Sequence, residues 1–375
     1  MDIPIELCQL ILEQTDFLSQ IRFRCVCKRF NTRLEIHDFL SIDKKYLKLL
    51  SDDILRAYPF ITKLAANSNK NITDVNHLTK LAVLHAMWHD CGIGSHGIKD
   101  LNLKELDIRY NLKIANIGHM AKLEVLYANR NIDDKCIYGL NLKKLYANNS
   151  PITNVNHMTS LKSLTASEYC DIDDSGITNL DLRKLHIAYN LNITNINHLT
   201  NLEILNANEA INDQSLLNHN LRKLYAGCIE NITNVNHMTK LKILHAGGQC
   251  GIDDRGIANL NLTELYVESN VKITDVNHMT NLKILNAAEE SGIDDRGIVN
   301  LNLKTLYASY NPKITNVNHM TNLEVLYAYG DCGIDRNGIA NLNFKEIHAD
   351  HNPKMTEGPA SVRRSAMLED GPSTS

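Results

Sequence analysis

A short string recurs through most of this chain of 375 residues. Stacked copies of a small unit follow different folding rules from a chain that collapses around one centre. Val/Ile-Asn-His-Met/Leu-Thr places its histidine at His77, His157, His198, His237, His278 and His319, with a degenerate copy at His119. Successive histidines are 38 to 42 residues apart. A second string, Gly-Ile-Asp-Asp-x-Gly-Ile, lies between them and is clearest at 251–257 and 292–298. The period then halves. Leu-x-x-Leu-x-Ala, or a close variant, starts at Ile61, Leu81, Leu103, Leu123, Leu142, Leu161, Leu182, Leu202, Leu221, Leu241, Leu262, Leu282, Leu303, Leu323 and Phe344, giving 15 units of 19 to 22 residues.

Length alone suggests two or three domains, but asparagine occurs 45 times, a bias that fits one short sequence copied often. Apolar residues at positions 4 and 6 of each unit read as a short strand with one face buried. Position 1 adds a third anchor, and the remaining residues must turn, cross the back and return. One such unit cannot bury its own edge, whereas stacked units share a core. At about 4.8 Å per strand the stack is a curved slab about 70 Å long on its inner face.

This spacing resembles the leucine-rich repeat, Leu-x-x-Leu-x-Leu-x-x-Asn, with alanine usually in place of the third leucine, over residues 61 to about 353. The resemblance implies an α/β leucine-rich repeat solenoid of about 15 coils with a parallel sheet on its concave face. It also implies a buried asparagine ladder at position 9, carried here by Asn111, Asn190, Asn270, Asn311 and Asn352. Alternate units carry Cys91, Cys170, Cys250 and Cys332 instead, with Ser291 in one copy, which leaves the ladder's continuity open.

The pattern changes ahead of the repeats. Pro4 suits the start of a helix, and Leu7, Leu10 and Ile11 share one helical face. Ile21, Cys25, Val26 and Phe30 form a second apolar set. Three short helices in 40 residues make a marginal core, so a partner is expected. Ile3-Pro4, Glu6-Leu7, Leu10-Ile11 and Val26-Cys27-Lys28-Arg29-Phe30 resemble the F-box, with Ile3 for the usual leucine and Phe30 for the common tryptophan. The resemblance implies docking onto a Skp-type adaptor through Pro4, Leu7, Ile11, Val26 and Phe30, and through it onto a cullin–RING ubiquitin ligase. The expected organisation is an F-box at 1–40, a helical linker and N-terminal cap at 41–60, the solenoid at 61–355 and a disordered tail at 356–375. In the linker, Tyr46, Leu49, Leu50, Ile54 and Ala57 read as the capping helix. The array stops without an evident capping unit, so its last coil is exposed or the array is shortened.

Candidate sites compete with packing roles. Histidines in alternate coils stand about 10 Å apart, too far to share one ion. The cysteines of alternate units fail by the same spacing. The aspartate pairs at 133–134, 173–174, 253–254 and 294–295 read as helix caps rather than calcium ligands. No phosphate loop, dinucleotide fingerprint or nucleophile elbow is present, so no enzyme, metal or cofactor is expected. The exposed strand position 5 carries tyrosine or histidine in ten of fifteen coils. Tyr127, Tyr146, Tyr225, Tyr266, Tyr307 and Tyr327, with Trp88 beside the row, are the candidate substrate contacts, since tyrosine gives large contact area at low entropy cost. The competing reading is cross-strand stacking that covers the sheet. Glu168, Glu209, Glu268 and Glu289 make this face mildly acidic and favour a partner with basic character.

The net charge of −4 excludes a strongly basic nucleic-acid surface. No apolar run approaches the roughly 18 residues of a membrane span. The first residues show no secretory pattern, and nine cysteines then read as free thiols of a reducing compartment. The combined expectation is a cytoplasmic substrate-recognition subunit of an SCF-type ubiquitin ligase with an unknown protein substrate. The alternative is a non-ubiquitin protein-interaction scaffold with a helical N-terminal cap. The asparagine–isoleucine bias resembles F-box and leucine-rich repeat proteins of giant viruses of amoebae, which implies a host cytoplasm.

Overall fold

The computed structural model describes residues 4–356; Ile3 and the tail from 357 onward lie outside the described residues. The chain divides into two units, 1–202 and 203–375.

The first unit opens with three short helices, α1 (Ile5–Glu13), α2 (Phe17–Arg24) and α3 (Lys28–Arg33). Pro4 caps α1, its carbonyl accepting from the Cys8 amide at 3.2 Å. Asp16 starts α2 by accepting from the Ser19 amide at 3.1 Å, which satisfies one orphan donor of the first turn. Only Cys8 and Leu12, one turn apart, are buried on α1. Strand β1 (Asp38–Phe39) follows and pairs in parallel with the first coil strand, β2 (Lys63–Ala65). Between them lie α4 (Lys44–Leu47) and α5 (Asp52–Arg56).

The linker was expected to cap the first coil with one helix; it forms two. Ile42, Leu47, Leu50 and Leu55 point inward, whereas Leu49, Ile54 and Ala57 are exposed. The break at Leu50-Ser51 restarts the helix on a serine cap, Ser51 accepting from Ile54, and so shifts the buried face. Asn69 ties this segment to the first coil by donating to the Leu47 and Leu50 carbonyls at 2.7 and 3.0 Å.

The repeat strands in this unit are β2, β3 (Val83–His85), β4 (Glu105–Asp107), β5 (Val125–Tyr127), β6 (Lys144–Tyr146), β7 (Ser163–Thr165) and β8 (Lys184–His186). Each pairs in parallel and without slip with the next, so Leu84, Leu106, Leu126, Leu145, Leu164 and Leu185 stack as one buried row. The second unit repeats the plan with β9 (Ile204–Asn206), β10 (Lys223–Tyr225), β11 (Ile243–His245), β12 (Glu264–Tyr266), β13 (Ile284–Asn286), β14 (Thr305–Tyr307), β15 (Val325–Tyr327) and β16 (Glu346–His348). Every expected coil start leads into a strand two residues later, and each coil returns through bends or one short helical turn. In β16 the burial loosens: Glu346 is exposed and Ile347 half-buried, where Leu326 is fully covered.

Polar side chains join the coils at fixed places. Asn111, Asn190, Asn270, Asn311 and Asn352 are buried, and each amide donates to two carbonyls of the preceding coil at 2.7 to 3.2 Å. Asn69 and Asn129 extend this ladder. Between its members sit the buried cysteines, and Lys113, Lys272 and Lys313 donate to the carbonyls of Cys91, Cys250 and Ser291. The asparagine ladder is therefore interrupted rather than continuous.

Each aspartate pair divides its work. The first member caps its own helical turn, as Asp253 does for the Gly256 amide at 2.9 Å. The second latches the next coil: Asp134, Asp174, Asp254 and Asp295 accept from the amide and hydroxyl of Thr153, Thr194, Thr274 and Thr315. Capping was expected of both; the latch was not. The motif histidines reach backward. In His119, His157, His198, His237, His278 and His319, Nε2 lies 2.9 to 3.3 Å from a carbonyl of the preceding coil.

Candidate interaction surfaces

Two surfaces hold the side chains singled out as candidate contacts. The first lies on the amino-terminal helices. With Cys8 and Leu12 turned inward, helical spacing puts Leu7, Leu10 and Ile11 on the outer face of α1, where all three are about half exposed or more. Val26, in the turn between α2 and α3, is 69% exposed. Pro4 is exposed as well. Phe30 is the exception among the expected adaptor contacts: it is half-buried and stacks on Phe23 with centroids 5.0 Å apart. Part of its ring therefore packs α3 on α2 instead of facing outward. Leu10, adjacent to Ile11, belongs with the exposed set.

The second surface is the solvent face of the sheet. Within the first unit, Tyr127 and Tyr146 stack at 4.1 Å and 7°. Trp88 and Tyr110, in the turns after β3 and β4, stack at 4.7 Å and 8°. Within the second unit, Tyr225, His245 and Tyr266 form one stack, and Tyr307, Tyr327 and His348 another. The strand positions are half-buried because each ring covers the next. Cross-strand stacking is thus present, and the row still keeps exposed edges. Burial raises the phenols of Tyr127 and Tyr266 to about 12, with hydrogen bonding to Tyr146 and the charge of Glu264 adding to each. Both rings are neutral at ordinary pH.

Two members of the row are not exposed as expected. Ala65 is too short to leave the sheet, and Asp107 is 2% exposed because Arg109 folds over it with an ion pair of 2.7 Å. Arg109 then lies 4.9 Å over the Tyr127 ring. The turn residues beside the row carry a signal that the sequence hides. Trp88, Tyr110, Glu168, Tyr189, Glu289 and Tyr310 all have positive φ between 56° and 80°, a region that favours glycine or asparagine. The amides of Trp88, Glu168, Glu289 and Tyr310 are held by the next coil, Trp88 donating to the Arg109 carbonyl at 2.9 Å. Ser68, Asn149, Cys228, Ser269 and His351 share the conformation, so it belongs to the turn of the repeat, and the large side chains are carried outward on it.

The buried cysteines of the coils and the motif histidines take no part in either surface. Cys91, Cys170, Cys250 and Cys332 are buried, and burial pushes the thiols of Cys170 and Cys250 up to about 11. Cys25 and Cys27 are exposed, and all nine cysteines are free. Among the described residues no three histidine, cysteine or carboxylate side chains are grouped to hold a metal ion. Among them, too, no helix is long and apolar enough to cross a membrane.

Comparison with known proteins bears on the amino-terminal segment and on the repeats separately. The family model of the F-box domain matches residues 1–41. No curated protein matches the sequence. Among solved structures, the chain is similar to an internalin from Listeria monocytogenes, with 21% identity, TM-score 0.40, and 84% of this chain and 90% of that one covered. A leucine-rich repeat protein of Leptospira interrogans gives 16% identity, TM-score 0.45, and coverage of 83% and 95%. The Rad7 and Elc1 complex of yeast gives 16% identity, TM-score 0.35, and coverage of 85% and 84%. The chain is a parallel-sheet solenoid with leucine-rich repeat neighbours, preceded by a helical F-box region.

Proposed function

We propose that this protein is a substrate-recognition subunit of an SCF-type cullin–RING ubiquitin ligase. The F-box region binds a Skp-type adaptor and the repeats bind a protein substrate. One observation carries the reading: the segment matching the F-box model turns Leu7, Leu10, Ile11 and Val26 to solvent. Such a set of apolar side chains on small helices marks an interaction site. The chemistry is proximity. One end holds the ligase and the other the substrate, so a substrate lysine meets the charged ubiquitin carrier at high effective concentration. No catalytic side chain of its own is required. The reading places the protein in the cytoplasm, that of an amoebal host if its source is viral.

The pairing of β1 with β2 gives the same amino-terminal segment a second role, capping the first coil, to which Leu47 and Leu50 just after it are tied by Asn69. A non-ubiquitin scaffold would need only that role. Co-expression with a Skp-type adaptor separates the two. The intact protein is expected to co-purify with the adaptor, and Leu7→Ala with Ile11→Ala to weaken capture at least tenfold, about the effect of losing one interface hot spot. Failure of the folded, intact protein to bind any such adaptor would leave only the scaffold.

A further inference from the structure

The rings on the sheet of the second unit fall into two stacks with a break between them. Tyr225, His245 and Tyr266 stack at 4.3 and 4.0 Å; Tyr307, Tyr327 and His348 stack at 4.5 Å each. The strands pair without slip, so Tyr266, Asn286 and Tyr307 are direct neighbours in the row. Asn286 stands where a ring is missing. Two strand spacings separate the flanking tyrosines, about 10 Å, which leaves room for one planar group at stacking distance from both. The Asn286 side chain does not fill that slot. Its Oδ1 accepts from the Ala288 amide at 3.2 Å and its Nδ2 donates to Glu268 Oε2 at 3.1 Å. The amide is thereby folded toward the residues that follow the strand.

The rim of the slot is anionic. Glu268 and Glu289 lie on that side, Ser269 donating its hydroxyl to Glu289. Neither carboxylate takes part in an ion pair among the described residues. Burial pushes the Glu268 carboxyl up, and the like charge of Glu289 adds to this. A cation placed here would relieve both costs. The chain's own cations show what the rings accept: Lys223 Nζ lies 4.8 Å over Tyr225 at the outer end of the first stack. Arg109 does the same at the Tyr127–Tyr146 stack of the other unit. Such contacts are favourable because the ring face is negative.

We propose that the slot between Tyr266 and Tyr307 receives an arginine side chain from an extended segment of a protein partner, its guanidinium sandwiched by the rings and donating to Glu268. The proposal rests on the reading of the repeats as the substrate-binding arm and names what that arm selects. Arginine fits better than lysine because its group is planar, stacks on aromatic faces and forks onto a carboxylate. Lys242, Lys283 and Lys304 precede their strands whereas Glu268 and Glu289 follow theirs. The positive charge of the segment is thus steered to the far side of the row.

The test titrates the full chain with short acetylated alanine peptides bearing one arginine, citrulline or lysine, read by tyrosine ring resonances. The arginine peptide is expected to shift Tyr266 and Tyr307 and to bind about tenfold more tightly than the citrulline peptide, the effect of one charge-assisted bond. Asn286→Tyr restores a ring found at other coils of the row, closes the slot and is expected to abolish binding with the thermal melt retained. Glu268→Gln, a second variant with little demand on the fold, is expected to weaken binding about tenfold. Equal binding of arginine and citrulline overturns the proposal, as does undiminished binding by Asn286→Tyr. Equal binding of lysine overturns the sandwich geometry. No adaptor is needed, so failure of the adaptor experiment sinks the ligase reading alone, and loss of arginine selectivity sinks the slot alone.

Discussion

Residues 5–33 and the coils use the same apolar side chains in opposite ways. In the coils of either unit the strand leucines and the back-face isoleucines are almost wholly covered, Leu126, Ile152, Leu265 and Ile273 at 0% exposure. On α1 only Cys8 and Leu12 are covered, while Leu7, Leu10 and Ile11 remain at 50% or more. Fully burying a leucine contributes about 1.5 to 3 kcal/mol, and the helical segment forgoes about half of that for each of the three. The coils gain stability by stacking on copies of themselves. Among the described residues the helices leave their apolar face open to solvent.

The largest effect that tests this contrast is Leu265→Ala, expected to cost about 3 kcal/mol in chemical denaturation, because a closely packed coil collapses only partly around the cavity. Leu7→Ala is expected to shift the same measurement by no more than about 0.5 kcal/mol. Similar losses at the two positions would break the comparison, since Leu7 would then be part of a core. A smaller effect sharpens it within the coils. Asn270→Ala strips the Ala246 and Ile252 carbonyls of their donor in a place closed to water, expected to cost about 2 kcal/mol. If denaturation shows no loss there, the ladder is dispensable and leucine stacking alone holds the coils.

How far the sequence carries the reading follows from what each residue depends on. The strands were legible because leucine and alanine at positions 4 and 6 face the core whatever their neighbours are. Asn111 and its equivalents were legible through the resemblance to the leucine-rich repeat, whose position 9 they occupy. The second aspartate of each pair was read as a cap because its partner, a threonine about 20 residues later, belongs to the next coil, and local pattern cannot show that contact. The turn conformation of Trp88 was hidden for the opposite reason: nothing in tryptophan favours positive φ, and a bond from its amide to the neighbouring coil holds it. The helical break at Ser51 escaped because Leu49 and Ile54 mimic a continuous apolar face. Of the candidate contacts, the tyrosine row and the apolar face of α1 came from periodicity. The gap at Asn286 became visible only once the strand register placed it between two rings.

The smallest effect lies on the sheet face, between the buried coil interior and the open helical surface. His245 sits between Tyr225 and Tyr266, and burial by these rings, with Lys223 adding, lowers its imidazole from 6.5 to about 4. The folded chain therefore refuses a proton that the unfolded chain accepts between those values. Linkage fixes the sign: this residue's contribution is fully present above about pH 6.5 and is lost progressively as the pH falls toward about 4. His245→Phe keeps an aromatic ring in the stack but has no proton to take up. Between pH 7 and pH 5 the melting temperature of the variant is expected to fall less steeply than that of the parent protein. Background titration of the carboxylates is common to both proteins, so the difference in slope isolates the ring. Parallel slopes would mean that the stack opens readily enough for His245 to titrate as a solvated histidine. The ring row would then be open to water like the apolar face of α1 rather than closed like the coil interior.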